Sequence, residues 1–193
     1  LFGMVAHGLI TGMLFFIAGS VKHRYHTLEI SRLSGMLIQM PRLGWILGFS
    51  AMASLGLPGL AGFWGEFPAL LASWTPNEVL LGDSLELYRT LTVIAALGTV
   101  LAAGYLLWMY QRTAFGVPTE EFSSHPEPAR SLSAAANNDH DDADLHDVDT
   151  IEWLAWTPFL IAIVLFGVYP QLMFKVMDPA VTVLVENITA GAR

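Results

Sequence analysis

The chain has 193 residues, of which 54% are hydrophobic and only 13% are charged, and its mean hydropathy is +0.52. Soluble domains carry about a quarter charged residues, so this composition excludes an ordinary soluble domain and predicts an integral membrane protein. More than half of the 17 acidic residues lie between residues 113 and 152, so the net charge of −8 mainly describes one stretch and does not indicate nucleic acid as a partner. The lack of cysteine excludes disulfides, thiolate metal sites and iron–sulfur ligation within the chain.

The first apolar segment covers residues 1–21, enough to cross ~30 Å of hydrocarbon as a helix. It starts inside an apolar run without the features of a signal peptide, so we expect the C-terminal part of a longer protein. Its Gly8 and Gly12 have the spacing that lets another helix approach closely. Its one ionisable side chain, His7, suits a proton relay because the pKa of histidine is about 6.5. A structural histidine bonded to a neighbouring carbonyl is the alternative, and the residues leave both open.

A short basic loop follows at residues 22–42. Its Lys and Arg residues predict the cytoplasmic side by the positive-inside rule; they are Lys22, Arg24, Arg32 and Arg42. His23 and His26 are spaced as a helical metal pair, but their place in this loop favours a simple basic flank.

The second apolar segment, residues 43–74, is too long for one straight crossing, since 32 residues of helix span ~48 Å. Pro58 removes a backbone donor and disfavours helix at the residue before it, and Gly59 loosens the backbone. We therefore predict two half-helices, 43–56 and 60–74, joined by a broken centre at Pro58–Gly59. Non-helical backbone at membrane depth requires surrounding protein or a water-filled cavity.

Glu66 lies about two turns beyond this break, in otherwise apolar surroundings. A carboxylate inside a membrane costs ~3 kcal/mol or more, so such residues usually have a function. We predict that Glu66 holds and releases a proton. The alternative is a structural glutamate whose carboxylate reaches the membrane interface.

The remaining chain alternates apolar and polar stretches. Residues 75–86 contain Glu78 and Asp83 but no Lys or Arg, which fits the outside, and a third span is predicted at residues 87–112. Residues 113–150 read as an acidic, solvated linker. Its Asp/His run at 139–149 lacks the Gly and distal Glu of a calcium loop, which favours a linker over a metal site.

A fourth span is predicted at residues 153–177, with Pro158 in its first turn and a kink or early end near Tyr169. Its Lys175 is expected to extend to the interface. Asp178–Pro179 would open a short tail with an amphipathic piece at 180–188. The sequence thus predicts an all-α integral membrane protein with four transmembrane helices, the second discontinuous. Residues 1–112 would hold the membrane helices with the proton-pathway residues, residues 113–150 would form the acidic linker, and residues 151–193 would form the last helix and the tail.

Three motifs carry a family resemblance: residues 4–9 (MVAHGL), 24–27 (RYHT) and 53–67 (ASLGLPGLAGFWGEF). They resemble the antiporter-like membrane subunits of proton-pumping NADH:quinone oxidoreductase, respiratory complex I. Related L- and N-type subunits and multisubunit sodium/proton antiporters carry Lys at the position of Glu66, so the Glu indicates the M type, chain 4. The resemblance implies the last four helices of a fourteen-helix subunit, with Glu66 as an outward-side proton site and His7 in the relay feeding it.

The resemblance also implies partners and place. The partners would be the L- and N-type and small membrane-arm subunits and the lipid bilayer. Flavin, iron–sulfur clusters and quinone would lie in other subunits, with no cofactor in this chain. The chain would lie in a bacterial inner (plasma) membrane, with loops 22–42 and 113–150 on the cytoplasmic side. The same fold also serves multisubunit cation/proton antiporters and membrane-bound hydrogenases, and a purely structural scaffold is a third alternative.

Overall fold

The computed structural model describes residues 1–75, 84–123 and 145–191. Over these ranges every regular element is a helix and no strand occurs, so the predicted all-α class is confirmed. The helices are α1 (Phe2–Tyr25), α2 (Met36–Gln39), α3 (Pro41–Ser54), α4 (Ala61–Trp74), α5 (Leu85–Ala114), α6 (Thr150–Val168) and α7 (Gln171–Gly191).

Three helices within the described ranges, α1, α5 and α6, are long and apolar enough to cross a membrane. Together with the composition, they mark a multi-pass membrane protein. Helices α3 and α4 have 14 residues each, which corresponds to about 21 Å, less than the ~30 Å hydrocarbon core.

Non-helical backbone at residues 55–60 separates α3 from α4. Gly56 has a φ of 67° and Gly59 a φ of 94°, and Leu60 is extended. Positive φ values of this kind are open to glycine at little cost, and Pro58 between the two glycines offers no backbone donor. The local sequence therefore interrupts the helix over several residues.

Helix α1 is central to the packing, since α3, α4 and α6 all contact it. Most of its buried side chains belong to the main apolar cluster, to which α3, α5 and α6 also contribute; the fully buried ones include Met13, Ile17, Leu43 and Ile163. Burial along α1 follows helical spacing, as in Ala6, Ile10, Met13 and Ile17.

The basic loop and the described ends of the acidic stretch lie at the same end of the helices. The Gly35 N–H donates to the Phe115 carbonyl at 3.1 Å, and the rings of Tyr25 and Phe122 meet edge to face at 4.9 Å. Arg32 pairs with Glu121 at the surface, and the hydrogen bond from that guanidinium lowers the pKa of the Glu121 carboxyl. The basic loop and residues 115–122 therefore share one end of the bundle.

The described ends of the predicted linker are packed. Phe122 is 7% exposed and Val148 is 4% exposed, and both belong to the main apolar cluster. The Asp147 carboxylate accepts from the backbone N–H groups of Arg42 and Leu43, at 3.1 Å each, and so caps the start of α3. Phe122 and Val148 thus have apolar partners, and Asp147 has a helix-terminal one, while Phe115 and Val117 in the same stretches are exposed. Most of the Asp/His run, together with Glu78 and Asp83, lies outside the described residues.

The C-terminal part differs from the prediction in one respect. Helix α6 ends at Val168, in line with the expected early end near Tyr169, and a new helix begins after Pro170. Asp178–Pro179 does not open a separate tail, since it lies inside α7. An internal proline removes one hydrogen bond and bends a helix without ending it when the residues on both sides favour helix.

Candidate functional site

One cavity of ≈ 230 Å³ between α1 and α4 brings the two predicted proton-carrying residues together. Its lining residues are Gly3, Ala6, His7, Ile10, Ala53, Ser54, Gly62, Gly65 and Glu66. Apart from His7 and Glu66, the residues in this lining are small or apolar, with Ser54 as the one hydroxyl. The cavity therefore holds one imidazole and one carboxylate, which is the minimum set for passing a proton between two groups.

Glycine contacts bring α4 close to α1 and α3 beside this cavity. A Cβ on Gly65 would lie 2.7 Å from the Gly3 Cα atom, and a Cβ on Gly62 would collide with the Ala53 carbonyl oxygen. Of the pair Gly8 and Gly12, a Cβ on Gly12 would lie 3.3 Å from the Phe159 ring of α6, whereas a Cβ on Gly8 would meet nothing within 4 Å among the described residues. A helix with several glycines can pack through any of them, and the partner helix decides which.

The Glu66 carboxylate lies against the backbone of the break. Glu66 is in the second turn of α4, and a Cβ on Gly56 would be 2.7 Å from its Oε2 atom. Within the part of the chain that the structure describes, this carboxylate makes no ion pair and no hydrogen bond. A glycine is thus favoured at position 56 for two reasons: the backbone has a positive φ, and a side chain there would collide with the Glu66 carboxylate.

Glu66 also lines a second cavity, of ≈ 280 Å³, on the side of α5. The other residues around it are Leu55, Gly56, Phe63, Phe67, Leu70, Thr99, Val100 and Ala103. Glu66 is the one residue that belongs to both linings. Its side chain therefore stands between a space shared with His7 and a space shared with Thr99.

His7 has a hydroxyl neighbour one helical turn away. Thr11 Oγ1 lies 3.3 Å from His7 Nε2 and 3.4 Å from Nδ1, so it can pair with the ring in either orientation. The sequence prediction did not include Thr11, although its i, i+4 spacing places it on the same face of α1.

A second polar cluster, at the other end of α1, was also missed. Arg24 is 1% exposed and donates to both carboxylate oxygens of Glu152, at 2.6 and 2.9 Å, and to the His146 carbonyl at 2.7 Å. Ser20 completes the cluster by donating to the same carboxylate. No sequence signal pairs residues 128 positions apart, so Arg24 looked like one more basic residue of the loop.

Of the two alternative metal sites, the structure describes the His23 and His26 pair but only residues 145–149 of the Asp/His run. His23 lies in α1 and His26 ends it in a left-handed conformation with a φ of 53°. Across residues 1–75, 84–123 and 145–191, no three His, Asp or Glu side chains are grouped as metal ligands would be.

Comparison with known proteins finds relatives of this chain. Residues 1–82 match the family model described as NADH:quinone oxidoreductase/Mrp antiporter, TM. The chain is 33% identical to NADH-quinone oxidoreductase subunit M of Rhodobacter capsulatus, over 98% of its own length and 31% of that protein. It is 28% identical to NADH-ubiquinone oxidoreductase chain 4 of Marchantia polymorpha, over 95% of its length and 31% of the relative.

A solved structure agrees with the sequence relatives. One chain of respiratory complex I from Thermus thermophilus with bound NADH superimposes with a TM-score of 0.63 at 26% identity, covering 92% of this chain and 31% of that one. The chain spans about a third of the length of the curated relatives that it matches.

Proposed function

We infer that this chain belongs to the antiporter-like membrane subunits of NADH:quinone oxidoreductase and corresponds to the last third of an M-type, or chain 4, subunit. Similarity to subunit M and chain 4 relatives over nearly the whole chain supports this, as does the glutamate at position 66. The subunit translocates protons across the membrane, and the complex couples that transport to quinone reduction.

Glu66 is the outward-side proton site in this proposal, and His7 belongs to the relay that feeds it. The observation that carries the proposal is the shared cavity, which two residues on different helices, 59 positions apart, line together. A cavity of ≈ 230 Å³ has ample room for water, which can bridge an imidazole and a carboxylate.

The four crossings are α1, α3 with α4, α5, and α6. Helices α3 and α4 form one discontinuous crossing, since each alone is too short while residues 41–74 together exceed the hydrocarbon thickness. The interruption is acceptable within a membrane because it packs against protein, including Gly167 of α6.

The chain carries no redox chemistry in this proposal. Flavin, iron–sulfur clusters and quinone belong to other subunits of the complex, and the partners are the L- and N-type subunits, the small membrane-arm subunits and lipid. The membrane is the bacterial inner membrane, and loops 22–42 and 113–150 face the cytoplasm in this proposal.

The decisive experiment replaces Glu66 in the assembled complex. Glu66→Gln removes the titratable proton at constant size, and we expect it to lower proton transport and coupled quinone reduction at least about tenfold, while Glu66→Asp is milder. Proton uptake is measured in vesicles and normalised to assembled complex. Glu86→Gln is the matched control, because Glu86 is exposed and lines neither cavity. Wild-type transport by the Glu66→Gln complex would overturn the assigned role.

His7 is tested in the same assay. His7→Gln keeps a polar side chain but cannot carry a proton at neutral pH, so transport is expected to fall by about tenfold. Equal activity of His7→Gln and the wild type would remove His7 from the relay and leave the role of Glu66 standing. Full activity in both variants would favour a structural scaffold.

A cation/proton antiporter subunit is the second candidate, favoured by the Mrp antiporter half of the matching family description. Sodium-dependent proton movement in vesicles without any quinone substrate would support it. Proton transport that requires quinone reduction and does not depend on the sodium concentration would support the oxidoreductase.

A further inference from the structure

The start of α4 is joined to the end of α6 by one interhelical hydrogen bond. The Trp64 Nε1–H donates to the Gly167 carbonyl oxygen at 2.7 Å. An indole has a single donor and no acceptor, so this contact satisfies all the hydrogen-bonding capacity that Trp64 has. The bond therefore links two helices through residues that are 103 positions apart in the sequence.

The backbones meet directly at the same place. Gly167 is buried, and a Cβ on it would lie 2.5 Å from the Gly59 carbonyl carbon. Only glycine allows α6 to approach the helix break this closely. The non-helical backbone before α4 therefore rests on α6, and the indole of Trp64 bonds to the glycine that makes the contact.

Aromatic packing extends the contact to α1 and α7. The rings of Trp64 and Phe174 meet edge to face at 6.2 Å, and Phe174 lies 5.2 Å from the ring of Phe2. These residues belong to a second apolar cluster, separate from the main one, together with Ala6 and Ala61. Helices α1, α6 and α7 thus meet α4 in the cluster that contains Trp64.

Glu66 follows Trp64 by two positions on the same helix. Successive helical residues are ~100° apart, so the two side chains project from nearly opposite sides of α4. Gly65 between them touches Gly3 of α1. Because Glu66 lines both the α1 cavity and the α5 cavity, a rotation of α4 would shift its carboxylate toward one of them.

We propose that Trp64 is a positioning residue, whose bond to Gly167 fixes the rotation of α4 and so sets where the Glu66 carboxylate lies between its two cavities. The inference rests on the proposed role of Glu66 in proton transport, and it adds a link from the end of α6 to that site.

The test uses the assembled complex and Trp64→Phe, which keeps an aromatic ring and removes the donor. The probe is an apolar carbodiimide, which reacts with protonated carboxyl groups, and its rate of modification at Glu66 is followed by peptide mass spectrometry between pH 5 and pH 9. A shift of half a pH unit in the midpoint of this modification curve corresponds to a change of about threefold in the protonated fraction of Glu66. We expect the modification rate in Trp64→Phe to change by at least this factor. Proton transport per assembled complex is expected to change as well. Trp45→Phe is the control, because Trp45 is 68% exposed and should leave both readouts unchanged.

Three further comparisons make the outcomes distinguishable. His7 is the other titratable residue in the two described linings, so repeating the titration in His7→Gln separates its influence from that of Trp64. Gly167→Ala leaves the indole intact but displaces its acceptor, and we expect it to alter the carbodiimide rate too. Glu66→Gln tests the proposed function by itself.

A wild-type carbodiimide profile and wild-type transport in Trp64→Phe would overturn the inference, while a defective Glu66→Gln complex would leave the proposed function standing. If Glu66→Gln transports normally, the proposed function fails, and with it the transport role of Trp64. Failure of both Trp64→Phe and Gly167→Ala to assemble would assign the contact to folding alone and also overturn the inference.

Discussion

At the scale of single residues, the position of the Glu66 carboxylate depends on the small residue Gly56, which has no side chain to occupy the same space. Its carboxylate lies against Gly56, between two cavities of ≈ 230 and ≈ 280 Å³. A carboxylate in apolar surroundings needs water or a partner to exchange protons, and both cavities are large enough to admit water. Gly56 keeps this position open.

Gly56→Ala is predicted to impair transport by displacing the carboxylate. The new Cβ would lie 2.7 Å from Glu66 Oε2, and the positive φ adds strain of about 1–2 kcal/mol. Gly59→Ala is a close control, since Gly59 also has a positive φ but a Cβ there would meet nothing within 4 Å. Proton transport per assembled complex should fall several-fold more in Gly56→Ala than in Gly59→Ala. Equal losses would show that backbone strain alone matters.

At the scale of helices, short contacts at the ends hold the elements together. Asp147 caps α3, Arg24 of α1 pairs with Glu152 in the first turn of α6, and Trp64 of α4 bonds to the end of α6. Each contact satisfies polar groups that a helix end or a buried side chain would otherwise leave unpaired. The helices are thus anchored near their ends, while apolar packing fills the space between.

Arg24→Ala is predicted to destabilise the folded chain by about 3 kcal/mol. Removing one partner of a buried ion pair leaves the other charge uncompensated, and the 24% exposure of Glu152 keeps the loss at the lower end of the usual range. Thermal unfolding of the purified complex and the amount assembled both report the change. Lys22→Ala, at an exposed position two residues away, should stay within about 0.5 kcal/mol of the wild type. A loss in Lys22→Ala as large as that in Arg24→Ala would contradict the role of the buried pair.

At the scale of the whole molecule, the polar loops that the structure describes between α1 and α3, after α5 and before α6 lie at the same end of the helices. Residues 22–40, 115–123 and 145–149 contact one another, whereas Ser84 and Glu86 start α5 at its opposite end. A 30-residue helix separates the two ends of α5 by about 45 Å, more than a hydrocarbon core. The arrangement therefore has the polarity that a membrane protein of defined orientation needs.

Single cysteines are predicted to label according to this arrangement. The 193 residues contain no cysteine, so each introduced thiol is the only one among them. Glu29→Cys and Glu120→Cys, both at exposed positions, should react with a membrane-impermeant maleimide from the cytoplasmic side, and Ser84→Cys only from the opposite side. Right-side-out and inverted vesicles distinguish the two faces. Labelling of all three from one face would overturn the proposed orientation.

Properties that depend on neighbouring residues in the chain were predictable from the sequence. Apolar length and helical spacing predicted the helices, and Pro58 and Gly59 predicted where the helix would be interrupted, while the proton-carrying roles of His7 and Glu66 stay predictions. Each of these rests on backbone geometry or solvation, which act within a few residues. The separation of α7 from α6 near Tyr169 was predictable for the same reason, since a proline follows.

Contacts between distant residues were decided only by the tertiary structure. Three such contacts join residues that are 59 to 128 positions apart. They are the cavity lined by His7 and Glu66, the ion pair of Arg24 with Glu152, and the contact of Gly167 with the helix break. Which of several glycines meets a neighbour, or which acid meets a buried arginine, depends on how helices cross and rotate. That choice follows from packing the whole set of side chains together, so no short stretch of the sequence contains it.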